Sequence, residues 1–553
     1  MWAAKLFAGK LAEKRPERWG PNGRGQPLRV FVLAVMVASC AEPEPTEEPP
    51  EPGGRTFYLR ADGDDQASGT DEQHAWRSLA RVNRQVLRPA DSVLLEAGAA
   101  FSGTLQLDAA DGGDPSAPVL VGSFGTGRAR IEAGSADGVV IEDVSGLIIE
   151  RLEIRGGWQA DEQAGNVGEG VSVRSQQRRD HLVLRELEVS GFKLAGIGLH
   201  ARPDDERKDR GYRDVEISDC ELHDNGDFGL ISDGPYVHDK AGYSHRELRV
   251  RRVVSHHNRG LSRKGEHTGS GIVLSDVDGA LIEHSIAHHN GELNDHKSGG
   301  GYGIWAWDAN DVVIQFNEAY ENQTRTSDGG GFDLDGGATN SVIQYNYSHD
   351  NQGAGYGAFQ FQWARRFFGN RIQYNISQGD GFGFLVWDGN GDMGSLAALH
   401  NVTYGDKPGL TTYSAVSDVT FVNNIFFGTG PLLFDVDDGD GLELKANDYW
   451  TGDRPLQIRW GGETFSDFEA FRKASGVTGA FTDPGLVAPG TAATLDDTTR
   501  LQTLTMYQLR EDSPLIDHGL DPAELGIEAP SHDFFAAPAP RGGGPDVGVH
   551  ERR

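Results

Sequence analysis

Five short segments of this chain close in the same way on an asparagine, and no other feature limits its fold so strongly. They are Leu222-His223-Asp224-Asn225, Ser255-His256-His257-Asn258, Ala287-His288-His289-Asn290, Ala319-Tyr320-Glu321-Asn322 and Ser348-His349-Asp350-Asn351, and the intervals between successive asparagines are 33, 32, 32 and 29 residues. Five residues upstream runs a second column, Cys220, Val253, Ser285, Asn317, Asn346, Asn375, Asn401 and Asn424. Short β-branched strands that recur at such a period, separated by Gly, Asn and Asp turns, build a β-solenoid. A leucine-rich repeat is excluded because its Leu spacing is missing, and a propeller blade needs about 40 residues. The asparagines themselves read as structural: each tolerates left-handed backbone at a tight corner, and stacked amides bond one another along the solenoid. The His256-His257 and His288-His289 pairs share that corner and read as a solvated edge, since a metal site would need a third ligand.

Residues 301–351 contain two successive coils of the pattern, and within each the strand alternates. Ile304 and Ala306, then Phe332 and Leu334, point one way; Trp305 and Trp307, then Asp333 and Asp335, point the other. Extending this register predicts an inward column of Ile272, Ile304, Phe332, Phe359 and Phe384. It also predicts an outward wall of Val273 and Ser275, Trp305 and Trp307, Asp333 and Asp335, Gln360 and Gln362, and Leu385 and Trp387. Coils stack about 4.8 Å apart, so tryptophan faces lie beside carboxylates and amides. Such a wall suits a sugar chain, whose apolar faces stack on indole while its hydroxyls bond polar side chains.

Two aspartates two residues apart on one strand face lie about 6.5–7 Å apart, which meets the window of roughly 6.5–9.5 Å for an inverting glycosidase. Asp333 and Asp335 would then be acid and base, with Trp305, Trp307, Gln360, Gln362 and Trp387 holding substrate. The same pair suits Ca²⁺, with Asp308 and Asp328 close enough in sequence to add ligands. In that case a base comes from the loops entering these strands, which carry Lys264, His267, His296, Lys297 and Arg325, and the reaction becomes a metal-dependent lyase elimination. His296 and Lys297 are the candidates carried forward. A third reading is a glycan-binding or surface-interaction protein without catalysis.

Composition narrows the partners. With 51 Lys+Arg against 83 Asp+Glu the formal charge is −32, which argues against nucleic acid. An apolar run from Val30 to Ser39 follows Arg29 and ends in Val37-Ala38-Ser39-Cys40, too short to span a bilayer and similar to a bacterial lipobox. Residues 1–40 are expected to be a lipoprotein signal peptide with Cys40 lipidated, and residues 41–55 an acidic Pro-rich tether. The implied location is the cell envelope, at the outer membrane because Ala41 follows the cysteine. The membrane is touched only through the lipid, and a monomer is expected.

The folded part opens with Phe57-Tyr58-Leu59-Arg60-Ala61-Asp62-Gly63, and a short amphipathic helix bearing Ala75, Leu79, Val82 and Val86 is expected before Pro89. The stretches 91–98 and 119–127 follow, and the glycine cluster Gly122 to Gly127 reads as a bend between coils, since it lacks the Lys-Ser/Thr ending of a phosphate cradle. Near the other end, Ser466-Asp467-Phe468-Glu469 reads as a capping box for a helix to about Ala474, and the tail carries Asp512-Ser513-Pro514-Leu515-Ile516-Asp517-His518-Gly519 and Asp546-Val547-Gly548-Val549-His550-Glu551. These pieces resemble the two ends of secreted right-handed parallel β-helix proteins of the pectin-lyase-like group. The resemblance covers about residues 56–553. It implies an all-β, single-stranded parallel β-helix over residues 56–445 with an N-terminal capping helix, and an irregular C-terminal cap over residues 446–553. It leaves the reaction open, because that group hosts lyases, hydrolases, epimerases and binding proteins. The catalytic motif sets of polygalacturonases and alginate epimerases are not present in recognisable form.

Overall fold

A computed structural model describes residues 53–202, 210–236, 238, 242–297, 299–389 and 393–552. The expected signal peptide, the lipidation site Cys40 and the tether to residue 52 lie outside the described residues.

The chain is a right-handed parallel β-helix. Each coil contributes short strands that pair in parallel with the coils before and after, and the described strands form sheets of 26 and 14 strands. The wall-forming face runs through Val171–Ser175, Ala195–Ala201, Phe228–Asp233, Ser270–Glu283, Tyr302–Gln315, Gly330–Leu334, Ala354–Phe361 and Phe382–Gly389. Ser270–Glu283 and Tyr302–Gln315 are 14 residues long because they turn a corner without interruption, with Asp276 (φ 53°) and Asp308 (φ 45°) taking left-handed backbone at the bend.

The asparagine columns are built as expected, with one difference. Asn258 Nδ2 donates to Asn290 Oδ1 (2.9 Å), Asn290 to Asn322 (3.0 Å), Asn322 to Asn351 (2.9 Å) and Asn351 to Asp380 (2.8 Å). The second ladder runs from Asn317 through Asn346, Asn375, Asn401 and Asn424 to Asn447. The left-handed residue is the one before each asparagine, such as His257, His289, Glu321 and Asp350, while the amide bonds along the axis. The corner needs both jobs done, and two adjacent residues divide them.

The N-terminal capping helix is shorter than the sequence reading. The N-terminal α-helix spans only Leu79–Val82, capped by Ser78; Trp76 returns to the sheet, where its amide donates to Tyr58 O (2.8 Å), and Val86 is exposed. The later helix is Phe468–Ser475, and its cap is Asp467 rather than Ser466, with Asp467 Oδ1 accepting from the amide of Ala470 (2.8 Å). Parallel stacking continues through Asn447–Trp450 and Ile458–Trp460. Leu486, Leu501, Leu504, Tyr507, Leu515 and Val547 then pack against Tyr347, Ile376, Val402 and Ile425 on the outside of the solenoid.

The inward column is Ile272, Ile304, Phe332, Tyr356 and Phe384, joined pairwise by register. Tyr356 stacks on Phe332 at 5.6 Å and its hydroxyl donates to Asn346 O (2.9 Å). Phe359, expected in this column, instead faces outward beside Trp387. The run Ala354-Gly355-Tyr356-Gly357-Ala358-Phe359 offers an aromatic on either parity. The larger Tyr356 takes the core because its hydroxyl finds a backbone acceptor there.

Candidate functional site

The strand register puts Val273, Trp305, Asp333, Gly357 and Leu385 in one outward column, and Ser275 and Trp307 in the next. This wall is less open than its composition suggests. Trp305 and Asp333 are buried, covered by a cluster of Phe228, Val273, Tyr302, Phe359 and Leu385 that sits outside the solenoid core. Two loops complete the cover. Tyr236 packs against Trp307 at 5.8 Å and Trp363 at 5.6 Å, and its hydroxyl donates to the carbonyl of Trp363 (2.6 Å). Trp363 and Tyr413 remain exposed at the rim, and Trp307 and Trp387 are half-buried.

Three carboxyls meet beneath this rim. Asp335 and Asp328 are half-buried, whereas Asp333 is 2% exposed. Burial, then the charges of Asp335 and Asp328, push Asp333 well above the usual carboxylate range. Burial pushes Asp335 up to about 7, opposed by the amide of Gly336 and reinforced by Asp328. Burial raises Asp328 to about 6 against a hydrogen bond from the amide of Gly300 (2.7 Å). No cation contributes to any of these three shifts.

Asp333 Oδ1, Tyr302 Oη and Trp305 Nε1 are buried without hydrogen-bond partners. Gly357 makes room for the Phe359 ring beside two of them: a Cβ there would lie 2.8 Å from Phe359 Cε2, 3.0 Å from Asp333 Oδ1 and 3.1 Å from Tyr302 Oη. Buried polar atoms are nearly always paired. Asp333 Oδ1 and Tyr302 Oη lie together beside the Phe359 ring with neither satisfied.

Several residues singled out by the sequence lie elsewhere or are already engaged. Gln360 is buried off the wall, donating to Arg365 O (3.0 Å) and accepting from the amide of Gly337 (3.2 Å), and Gln362 lies in the exposed turn after the strand. Both follow from the one-residue change of parity at Phe359. Asp308 forms a salt bridge with Arg365 at the corner, so it is not available as a calcium ligand. Among the described residues no group of three or more His, Cys, Asp and Glu side chains is arranged to hold a metal ion.

Lys264 Nζ is held by Asp227 (2.7 Å) and lies over the ring of Phe228. His267 is kept neutral by burial, then by Lys264 and His296, its pKa falling to about 3, and its ring meets the edge of Trp305 at 5.0 Å. His296 bonds Gly299 O (3.3 Å), and Lys297 is exposed on the same loop. Tyr236, Tyr302, Trp363 and Tyr413 were not singled out by the sequence. Three of them come from loops without periodicity, and Tyr302 opens its strand just before the alternation begins.

Residues 257–426 match the family model described as right-handed beta helix region. A lacto-N-biosidase of Bifidobacterium longum subsp. longum is 24% identical over 465 residues, an alignment covering 68% of this chain and 29% of that protein. This chain thus spans under a third of the length of that curated relative. Among solved structures, a GH136 lacto-N-biosidase from Eubacterium ramulus has a TM-score of 0.49 at 21% identity, covering 66% of this chain and 68% of the other. Pectate lyase Pel9A has a TM-score of 0.43 at 17% identity, covering 91% and 97%. The protein is a right-handed parallel β-helix.

Proposed function

We propose that this protein cleaves a glycan by hydrolysis, using the carboxyl cluster Asp328, Asp333 and Asp335. The observation that carries the reading is the crowding of three carboxyls, with no cation among the influences on their pKa values, beneath an aromatic rim. A solvated surface face would leave such groups ionised and apart. The likeness to a lacto-N-biosidase supports a carbohydrate substrate.

The roles follow from exposure and charge. Asp335 and Asp328 are the members that reach the surface, with pKa values pushed to about 7 and about 6. Between those values Asp335 holds a proton and acts as general acid, while Asp328 is ionised and acts as base or nucleophile. Asp333 stays protonated beneath them and keeps the site from carrying a third charge. Trp307, Trp363, Tyr413 and Trp387 offer stacking surface for the sugar.

The test is a panel of neutral and uronic-acid oligosaccharides with product analysis. New reducing ends without 4,5-unsaturation are expected, on a bell-shaped pH profile with limbs near 6 and 7. Unsaturated products would replace hydrolysis by lyase elimination, for which Lys297 and His296 are the remaining base candidates. Binding without cleavage across the panel would leave a glycan-binding protein. For location, the proposal is an envelope lipoprotein anchored through Cys40, and Cys40→Ala is expected to leave the membrane fraction.

A further inference from the structure

A well-formed cleft of the described residues lies away from the carboxyl cluster. It encloses about 600 Å³ on the same face of the solenoid, bordered by Asp137, Val167, Glu169, Arg174, Leu194, His200 and Asp233. His200 and the Asp333 strand are separated by four coils, which is about 19 Å along the axis.

The cleft is a built site. His200 Nε2 bonds Glu169 Oε1 (2.7 Å), and its Nδ1 bonds Asp233 Oδ1 (2.8 Å). Burial opposes charge on this ring, but the two carboxylates outweigh it and raise its pKa to about 10. Glu169 has 7% of its side chain exposed. Gly198 makes the arrangement feasible, because a Cβ there would lie 2.4 Å from His200 Nε2 and 2.7 Å from Glu169 Oε1. On the opposite side Arg174 pairs with Asp137 (3.1 Å), and its Nε is buried without an acceptor. Val167 and Leu194, at the mouth, are 69% and 38% exposed.

We infer that this cleft is a second carbohydrate-binding site, for one or two neutral sugar residues, separate from the carboxyl cluster. Among the described lining residues three cations, Arg174, Arg202 and His200, balance three carboxylates, Asp137, Glu169 and Asp233, so this lining carries no surplus charge to neutralise an ionic ligand. What the array offers is fixed donors and acceptors at short spacing, which match vicinal hydroxyls through charge-assisted hydrogen bonds. The exposed Val167 and Leu194 provide apolar surface for the C–H face of a pyranose ring. Arg174, fixed by its pairing with Asp137 (3.1 Å), presents the rest of its guanidinium at the cleft wall.

The site also adjoins the wall. Gly234 and Pro235 line the cleft, and the next residue, Tyr236, lies on Trp307. An occupant would press on the segment that covers the aromatic rim.

The experiment uses the whole protein carrying Asp335→Asn, so that cleavage does not obscure binding. Gluco-, galacto-, manno- and xylo-oligosaccharides, with glucuronate and galacturonate as charged counterparts, are tested by saturation-transfer NMR and calorimetry. At least one neutral sugar is expected to bind. Val167→Glu, which crowds an exposed position without touching the core, and Arg174→Ala are each expected to weaken that binding at least tenfold. The inference is overturned if no neutral sugar binds, if uronates bind in preference, or if Val167→Glu leaves affinity unchanged, which would place the sugar at the carboxyl cluster. Because cleavage is read separately on the parent protein, loss of the hydrolase reading would leave this outcome standing.

Discussion

Two sets of carboxyls in this molecule are treated in opposite ways. Glu318, fully buried under the C-terminal extension, accepts from the amides of Leu495 (2.7 Å) and Asp496 (2.9 Å) and bonds His349 Nε2 (3.2 Å). Asp380, at the end of an asparagine ladder, accepts twice from Asn351 (3.0 and 2.8 Å) and once from Ser377 (2.6 Å). Asp328 and Asp335 have one backbone donor each, and Asp333 has an oxygen with none. Glu318, Asp380 and Asp333 are buried, and Asp328 and Asp335 are half-buried. What separates them is whether the fold supplies partners, and it does so where the carboxyl ties one segment to another. On the wall the fold leaves that capacity unmet.

The largest expected effect lies on the unpartnered side. Asp335→Asn or Asp328→Asn should lower turnover by about 10²–10⁴-fold with substrate binding retained, measured by reducing-end release. Asp333→Asn, a neutral mimic of a group already protonated, should lose much less. Equal losses in all three would erase the division of roles. Next, Glu318→Gln should destabilise by about 2–3 kcal/mol, because an amide N–H₂ would then face backbone donors, as read by chemical denaturation. A neutral result there would mean the partnered carboxyl is not a clamp.

A smaller effect distinguishes the sets by sign. Asp333 has a folded-state pKa raised above its unfolded value, so its contribution is fully present in acid and is lost as pH rises through the folded pKa. Asp333→Asn should therefore raise Tm at pH 8 and leave it nearly unchanged at pH 4. The smallest expected change is in the pH profile. Asp328 raises the pKa of Asp335, so Asp328→Asn should move the alkaline limb of the residual activity to lower pH. A limb that stays in place would separate the two groups electrostatically.

Much of the fold was legible because period and parity are properties of the chain itself. The asparagine spacing gave the solenoid, and alternation placed Ile304 and Phe332 inside and Trp305 and Asp333 outside. Parity failed at Phe359, where two aromatics competed and the choice depended on a backbone acceptor 10 residues away from Tyr356, the carbonyl of Asn346. The wall residues were readable as positions but not as environments. Nothing in the sequence says that Tyr236 and Trp363 fold over Trp307, or that Arg365 reaches across 57 residues to claim Asp308. The His200 cleft needed three coils to be superposed, and its members, Glu169, His200 and Asp233, lie 31 and 33 residues apart.

The asparagine ladders have a consequence for how such a protein can change. Successive rungs are 33, 32, 32, 29 and 29 residues apart in one ladder and 29, 29, 26, 23 and 23 in the other, yet the amide-to-amide bonds stay between 2.8 and 3.1 Å. The spine therefore registers only that a coil has returned, and is indifferent to how long the excursion was. Insertions and deletions can collect in the loops over the wall, including those that carry Tyr236, Lys297 and Trp363, while the scaffold beneath keeps its bonds. Ligand preference and structural integrity are inherited on separate parts of each repeat.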